Sequence, residues 1–213
     1  MTSVSAQILP SGVIGDLTVP SHAAGMIIFA HGSGSSRFSS RNRFVAGVLQ
    51  KANLATLLLD LLTAEEEQID LRTRHLRFDI NLLANRLVEA THWVGDKPSL
   101  AGLPVGYFCA STGAAAALIA AAQLPQSTKA VVSRGGRPDL AGAALPKVTA
   151  PTLLIVGAND QPVLELNQDA LHALRCEKKL AIIPGATHLF EEPGTLEQVA
   201  DLAHNWFERY IAI

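Results

Sequence analysis

Six short, unbroken apolar runs, separated by longer amphipathic stretches, constrain this fold more than any other feature of the chain. They are Met26 to Ala30, Ala55 to Asp60, Val105 to Cys109, Ala130 to Ser133, Thr152 to Val156 and Leu180 to Ile183. A run without apolar–polar alternation fits a strand covered on both faces, as in a parallel sheet. Helical patterns fill the gaps: Arg43 to Ala52, Asp70 to Val94, the Ala-rich Thr112 to Gln123, Val163 to Leu174, and Thr195 to Tyr210 with Trp206 and Phe207 as anchors. In the longest of these, Leu76, Ile80, Leu83, Leu87, Ala90 and Val94 recur at steps of three and four and make one core-facing stripe. Val13 to Val19 is a weaker strand, interrupted by Gly15-Asp16, and is expected at an antiparallel edge. The alternation predicts an α/β fold, a doubly wound and mostly parallel sheet with helices on both faces, in a single domain over residues 1–213. Ligands of such sheets sit at the carboxyl ends of the strands, so function is sought in the loops that follow them.

Composition narrows the partners. With 48% hydrophobic and 17% charged residues and a formal net charge of −2, the 213-residue chain has no electrostatic case for nucleic acid or anionic membranes. Its aliphatic stretches fall far short of the roughly 20 residues a spanning helix needs. Residues 1–10 show no basic patch leading into an apolar run, so no signal peptide is expected. Cys109 and Cys176 build neither a disulfide framework nor a metal-ligand spacing. The expectation is a cytoplasmic protein, a monomer or small homo-oligomer, that needs no metal or organic cofactor. Glu65 to Glu67 and the nearby Arg72, Arg74 and Arg77 read as solvated surface.

The most informative turn is Cys109-Ala110-Ser111-Thr112-Gly113, between a predicted strand and a predicted helix. A nucleophile elbow requires that context, with small neighbours where strand and helix pack closely and a serine hydroxyl held exposed on a strained turn. Cys109 stands where the usual G-x-S-x-G pattern has its first glycine. As a nucleophile it is disfavoured, because it falls at the buried end of a strand and packs as a small hydrophobe. The loop Gly157-Ala158-Asn159-Asp160 leaves another strand; an isolated Asp there would be read as a helix cap. After the last strand comes Gly185-Ala186-Thr187-His188. The order Ser, Asp, His, each following a strand, is that of a hydrolase triad: the serine needs a general base and the imidazole an orienting partner. Asp139 fits the acid position less well than Asp160.

The loop His31-Gly32-Ser33-Gly34-Ser35-Ser36 follows the first central strand. It has neither G-K-[ST] nor G-x-G-x-x-G spacing, which leaves phosphate cradling without support. Beside an elbow it is placed to supply an oxyanion N–H from Ser33, next to that of Thr112, with Gly32 and Gly34 letting the backbone approach substrate. Ser33, Ser35 and Ser36 sit in no elbow, and His31 is expected to hold the loop by a hydrogen bond. Arg134 and Arg137 follow a strand and are candidates for a substrate carboxylate; solvated surface arginines are the competing reading.

On these four loops the chain resembles the dienelactone-hydrolase-like branch of the α/β-hydrolase superfamily. It is also similar to small hydrolase domains fused to phosphoribosyltransferase domains; over residues 1–213 only the hydrolase domain is expected. The resemblance implies an eight-stranded sheet and hydrolysis through a serine acyl-enzyme. Ser111 would be the nucleophile, His188 the general base and Asp160 its partner, and a small acyl ester the substrate. Dienelactone hydrolases proper carry cysteine where this chain has Ser111, so lactone specificity does not transfer. The segment Ser133 to Ala150 is too short for the multi-helix lid that the superfamily often inserts there, which predicts an open site. Lactone, thioester, amide or carbon–carbon hydrolysis, a non-catalytic binding protein and a nucleotide-binding α/β domain are the alternatives.

Overall fold

The computed structural model describes residues 3–211. Eight strands form one sheet: β1 (Ser3–Ile8), β2 (Val13–Thr18), β3 (Gly25–Ala30), β4 (Leu54–Leu59), β5 (Val105–Ala110), β6 (Thr128–Arg134), β7 (Thr152–Gly157) and β8 (Lys178–Ile183). Their spatial order is β1-β2-β4-β3-β5-β6-β7-β8. β2 pairs antiparallel with both β1 and β4, and every later pairing is parallel. This is the mostly parallel α/β-hydrolase sheet that the resemblance implies. β3, β4, β5 and β7 are buried at every residue, as their unbroken apolar runs require.

Six α-helices cover the sheet: α1 (Ser40–Lys51), α2 (Ala64–Thr73), α3 (Ile80–Gly95), α4 (Thr112–Gln123), α5 (Gln161–Ala173) and α6 (Thr195–Tyr210). Alternate strand residues point to opposite layers. Met26, Ile28, Tyr107 and Cys109 pack toward α3 and α4, where Leu83, Leu87 and a run of buried alanines meet them. Ile27, Phe29, Phe108 and Val132 pack toward α1 and α6, against Val45, Leu49, Val199 and Phe207. Each large side chain so buried contributes about 1.5–3 kcal/mol. The alanines of α4 let that helix lie close over the centre of the sheet.

The single helix expected from Asp70 to Val94 is three elements instead: α2, a 3₁₀ turn at Leu76–Phe78, and α3. Arg74 takes a left-handed conformation (φ 56°) and ends α2, and the Asp79 side chain accepts from the Leu82 N–H and starts α3. The apolar stripe runs through the break, which hides it from periodicity. Glu66 is not idle surface either. It closes a capping box with Thr63 at the start of α2 and pairs with Arg86 at 2.6 Å. Between β6 and β7 there is only a 3₁₀ segment, Pro138–Lys147, kinked at Gly142, so no lid covers the sheet at this point.

Candidate active site

The strand order reverses beside β3, which runs between β4 and β5. A crevice opens at such a switch point, at the carboxyl ends of the strands. The loops after β3 and β5 meet there. Ser111 links β5 directly to α4 and is held at φ 49°, ψ −126°, a strained conformation for a non-glycine residue. Its side chain makes no capping bond to the helix, which leaves the hydroxyl unspent. Two glycines make the turn possible. A Cβ on Gly113 would lie 2.5 Å from the His31 carbonyl oxygen, and one on Gly32 would lie 2.7 Å from the Ser111 Cβ.

Cys109 faces the other way. It is fully buried, and its thiol donates to the Val132 carbonyl at 3.2 Å. Burial pushes this thiol well above the ordinary range, so it has no nucleophilic thiolate near neutral pH.

Asp160 stands at the N-cap of α5 without capping it. Its Oδ2 instead accepts from His188 Nδ1 at 2.7 Å, with the Asp160 side chain 13% exposed and that of His188 39%. The loops that carry the pair are stitched together. The Asn159 N–H donates to the Ala186 carbonyl at 2.9 Å, and Asn159 Nδ2 donates to that of Gly185 at 3.0 Å. Glu192, which sequence reasoning missed, accepts from the Thr187 N–H and hydroxyl at 3.2 and 2.6 Å.

Gly32, Ser33, Gly34, Ser111, Arg134 and His188 all line one cleft of about 360 Å³. Asp160 stands behind His188. No hydrogen bond joins the Ser111 hydroxyl to the imidazole among the described residues. Thr112, as the first residue of α4, has an N–H with no acceptor inside the helix. The Ser33 N–H, expected to face an oxyanion, donates to Thr112 Oγ1 at 3.0 Å in this geometry.

Of the two arginines expected near substrate, the structure brings only Arg134 to the cleft; Arg137 lies outside its lining. The Arg137 Nε and Nη2 are committed to Asp139 at 2.9 and 2.8 Å. Arg134 lines the cleft together with Ser39, Arg41 and Asn42 at the start of α1. Those three were missed because the helix was expected to begin at Arg43; Ser39, a favoured N-cap residue, was the available signal.

His31 holds the loop as expected. Its Nδ1 donates to the Gly32 carbonyl at 2.8 Å, and its Nε2 accepts from the Leu61 N–H at 3.2 Å. Those two bonds require the neutral ring, and burial pulls its pKa below the usual 6.5. Behind the loop a small cavity of about 50 Å³ is lined by His31, Asp60, Leu61, Asp70 and Arg77 among others. Arg77 is not surface charge: it is bonded to Asp70, which is 2% exposed.

Among the described residues there is no cluster of His, Cys, Asp or Glu able to hold a metal ion, and no helix is long and apolar enough to cross a membrane.

No family model matches the chain. Two proteins of Mycobacterium tuberculosis, strains CDC 1551 and H37Rv, provisionally named phosphoribosyl transferases, are 62% identical over 198 residues. The match takes in 93% of this chain, and the chain spans about half the length of these relatives, 44%. The crystal structure of a dienelactone hydrolase from Anabaena variabilis is 61% identical, with a TM-score of 0.95 over 99% of this chain and 97% of that one. At the level of fold alone, Est1E from Butyrivibrio proteoclasticus (16% identity) superposes with a TM-score of 0.80, covering 99% of each chain. An α/β serine hydrolase without lid from Xanthomonas campestris (18%) gives 0.77 over 100% of this chain and 95% of its own. On the strength of the Anabaena relative, matched along nearly its whole length, the chain belongs to the dienelactone-hydrolase-like α/β-hydrolases.

Proposed function

We propose that this protein is a serine hydrolase of small acyl esters, working through a Ser111 acyl-enzyme. The observation that carries the reading is the 2.7 Å Asp160–His188 pair opening onto the cleft in which Ser111 is held at φ 49°. Asp160 fixes the tautomer with the proton on Nδ1, which leaves Nε2 as the base. His188 takes the Ser111 proton as the hydroxyl attacks the acyl carbonyl, and Asp160 stabilises the imidazolium. The tetrahedral oxyanion is held by the Thr112 N–H and by the Ser33 N–H, which exchanges Thr112 Oγ1 for the substrate oxygen. His188 then protonates the leaving group, and water repeats the sequence to release the acid.

The absence of a lid over the β6–β7 connection favours short soluble acyl chains over long ones. A second reading, lactone hydrolysis on the same three residues, is favoured by the name of the Anabaena relative. The transferase name of the mycobacterial proteins describes chains more than twice as long and is not carried over.

A panel of short acyl esters, lactones and thioesters tests the proposal. Turnover of one class is expected, and Ser111→Ala should lower kcat by on the order of 10⁴ or more. Full turnover by Ser111→Ala would falsify the assignment, and preference for long-chain triacylglycerols in a chain-length series would remove the open-site argument.

A further inference from the structure

Arg134 is 6% exposed, yet among the described residues it has neither an ion-pair partner nor a side-chain hydrogen bond, and its Nε is buried without an acceptor. The charged side chain that acts on it most strongly is another cation, Arg41. Burial, with Arg41 adding to it, lowers the Arg134 pKa to about 10, which leaves the guanidinium charged at neutral pH. Isolated charges are expensive to bury and persist where a partner arrives from outside.

The carboxylates around the cleft are already engaged elsewhere. Arg134 is paired in register with Ala110, the residue before Ser111, and its guanidinium lies 5.8 Å from the centre of the Phe190 ring. Across the cleft α1 begins: Ser39 caps it through the Asn42 N–H, and the N–H groups of Ser40 and Arg41 have no acceptor inside the helix. Helix N-termini attract anions. Arg41 is bonded at 3.2 Å to Glu191, whose side chain is 64% exposed, and its own Nε is buried and unbonded. The Asp160 carboxylate is already engaged by His188.

The geometry points to an anion subsite beside the nucleophile: Arg134, with Arg41 and the N-terminus of α1, holds a carboxylate or phosphate that the substrate carries beyond its scissile carbonyl. The inference rests on the hydrolase reading for the identity of that substrate, and on Arg134 alone for the site. Carboxylate and phosphate share the bidentate chemistry that a guanidinium offers. The preferred substrate is then an anionic ester, discriminated from its neutral counterpart by this one contact.

Two substrate pairs and one binding measurement test it. The pairs are p-nitrophenyl hemiglutarate against p-nitrophenyl valerate, and an acyl ester of glycerol phosphate against the same ester of glycerol. The wild-type enzyme is expected to favour the anionic member of at least one pair by about tenfold or more in kcat/KM, the size of one charge-assisted contact. Which pair shows the preference separates carboxylate from phosphate. Arg134→Met should bring that ratio close to one, and Arg41→Gln should reduce it less; each ratio is internal to its variant, so a general loss of activity does not disturb it. In parallel, millimolar inorganic phosphate should raise the Tm of the wild type and not that of Arg134→Met. Ratios at or below one in the wild type, or a preference that survives Arg134→Met, overturn the subsite. If no ester is turned over, the hydrolase reading falls alone, and the phosphate shift still decides the site: equal shifts in both proteins overturn it.

Discussion

The His31–Ser36 loop separates two regions whose most deeply buried arginines are treated in opposite ways. Behind the loop the three partly buried arginines each have a counter-charge. Arg37 pairs with Asp16 and Asp60, Arg77 with Asp70, and Arg86 with Glu66. In front of it, in the cleft that Ser111 and His188 line, Arg134 is as deeply buried as any of these and has no carboxylate partner among the described residues. A matched buried pair is support for the fold. An unmatched one costs stability and persists for a ligand. Sequence composition does not separate the two, because an arginine's meaning here is set by what the fold places opposite it.

The difference can be broken from either side. Removing the partner of the imidazole in front has the largest effect: Asp160→Asn keeps the shape but favours the wrong His188 tautomer, and kcat should fall by about 10³–10⁴ in stopped-flow or steady-state assays, with little change in Tm. Behind the loop, Asp70→Ala should instead cost about 3–5 kcal/mol of unfolding free energy by denaturant titration, because it strands the Arg77 guanidinium. An Asp70→Ala protein as stable as the wild type would show that the matched side is ornamental.

Arg134→Met sharpens the contrast by its sign. Removing an unpaired buried charge should leave stability unchanged or raise it by about 1 kcal/mol in the same titration, the opposite of Asp70→Ala. The smallest effect is that of His31. Its folded pKa lies below 6.5, so below that pH the unfolded chain binds the extra proton more readily than the folded one. Stability should therefore fall as the pH drops below about 6.5, and His31→Gln should flatten the slope. A steeper fall in His31→Gln would contradict the assignment.

Much of this was legible in the sequence, for identifiable reasons. The central strands announced themselves because a strand buried on both faces cannot alternate, and Thr112–Gln123 and Thr195–Tyr210 were placed with their observed bounds. Ser111, Asp160 and His188 were singled out from order and position alone, since each follows a strand end; the fold brings the His188 and Asp160 side chains to 2.7 Å and sets Ser111 on the same cleft as His188. β1 was not foreseen: its pattern, exposed along most of its length, is that of an edge with little apolar signal. The break at Arg74 to Asp79 was hidden by a hydrophobic stripe that continues across it. The Thr112 hydroxyl on the Ser33 amide, the Glu192 brace and the lack of a partner for Arg134 among the described residues are set by how the loops fold together. No local pattern encodes these, and only the folded arrangement separates Arg134 from Arg137, three residues away.

The central claim is that the hydroxyl of Ser111 is an activated nucleophile served by His188. The direct measurement is intact-mass and peptide analysis after exposure to a fluorophosphonate, in the wild type and in His188→Ala. The account predicts one adduct per chain, on the peptide that contains Ser111, and labelling slowed by orders of magnitude in the variant. An unlabelled wild type, or an adduct on Ser33, Ser35, Ser36 or Cys109 instead, would contradict it.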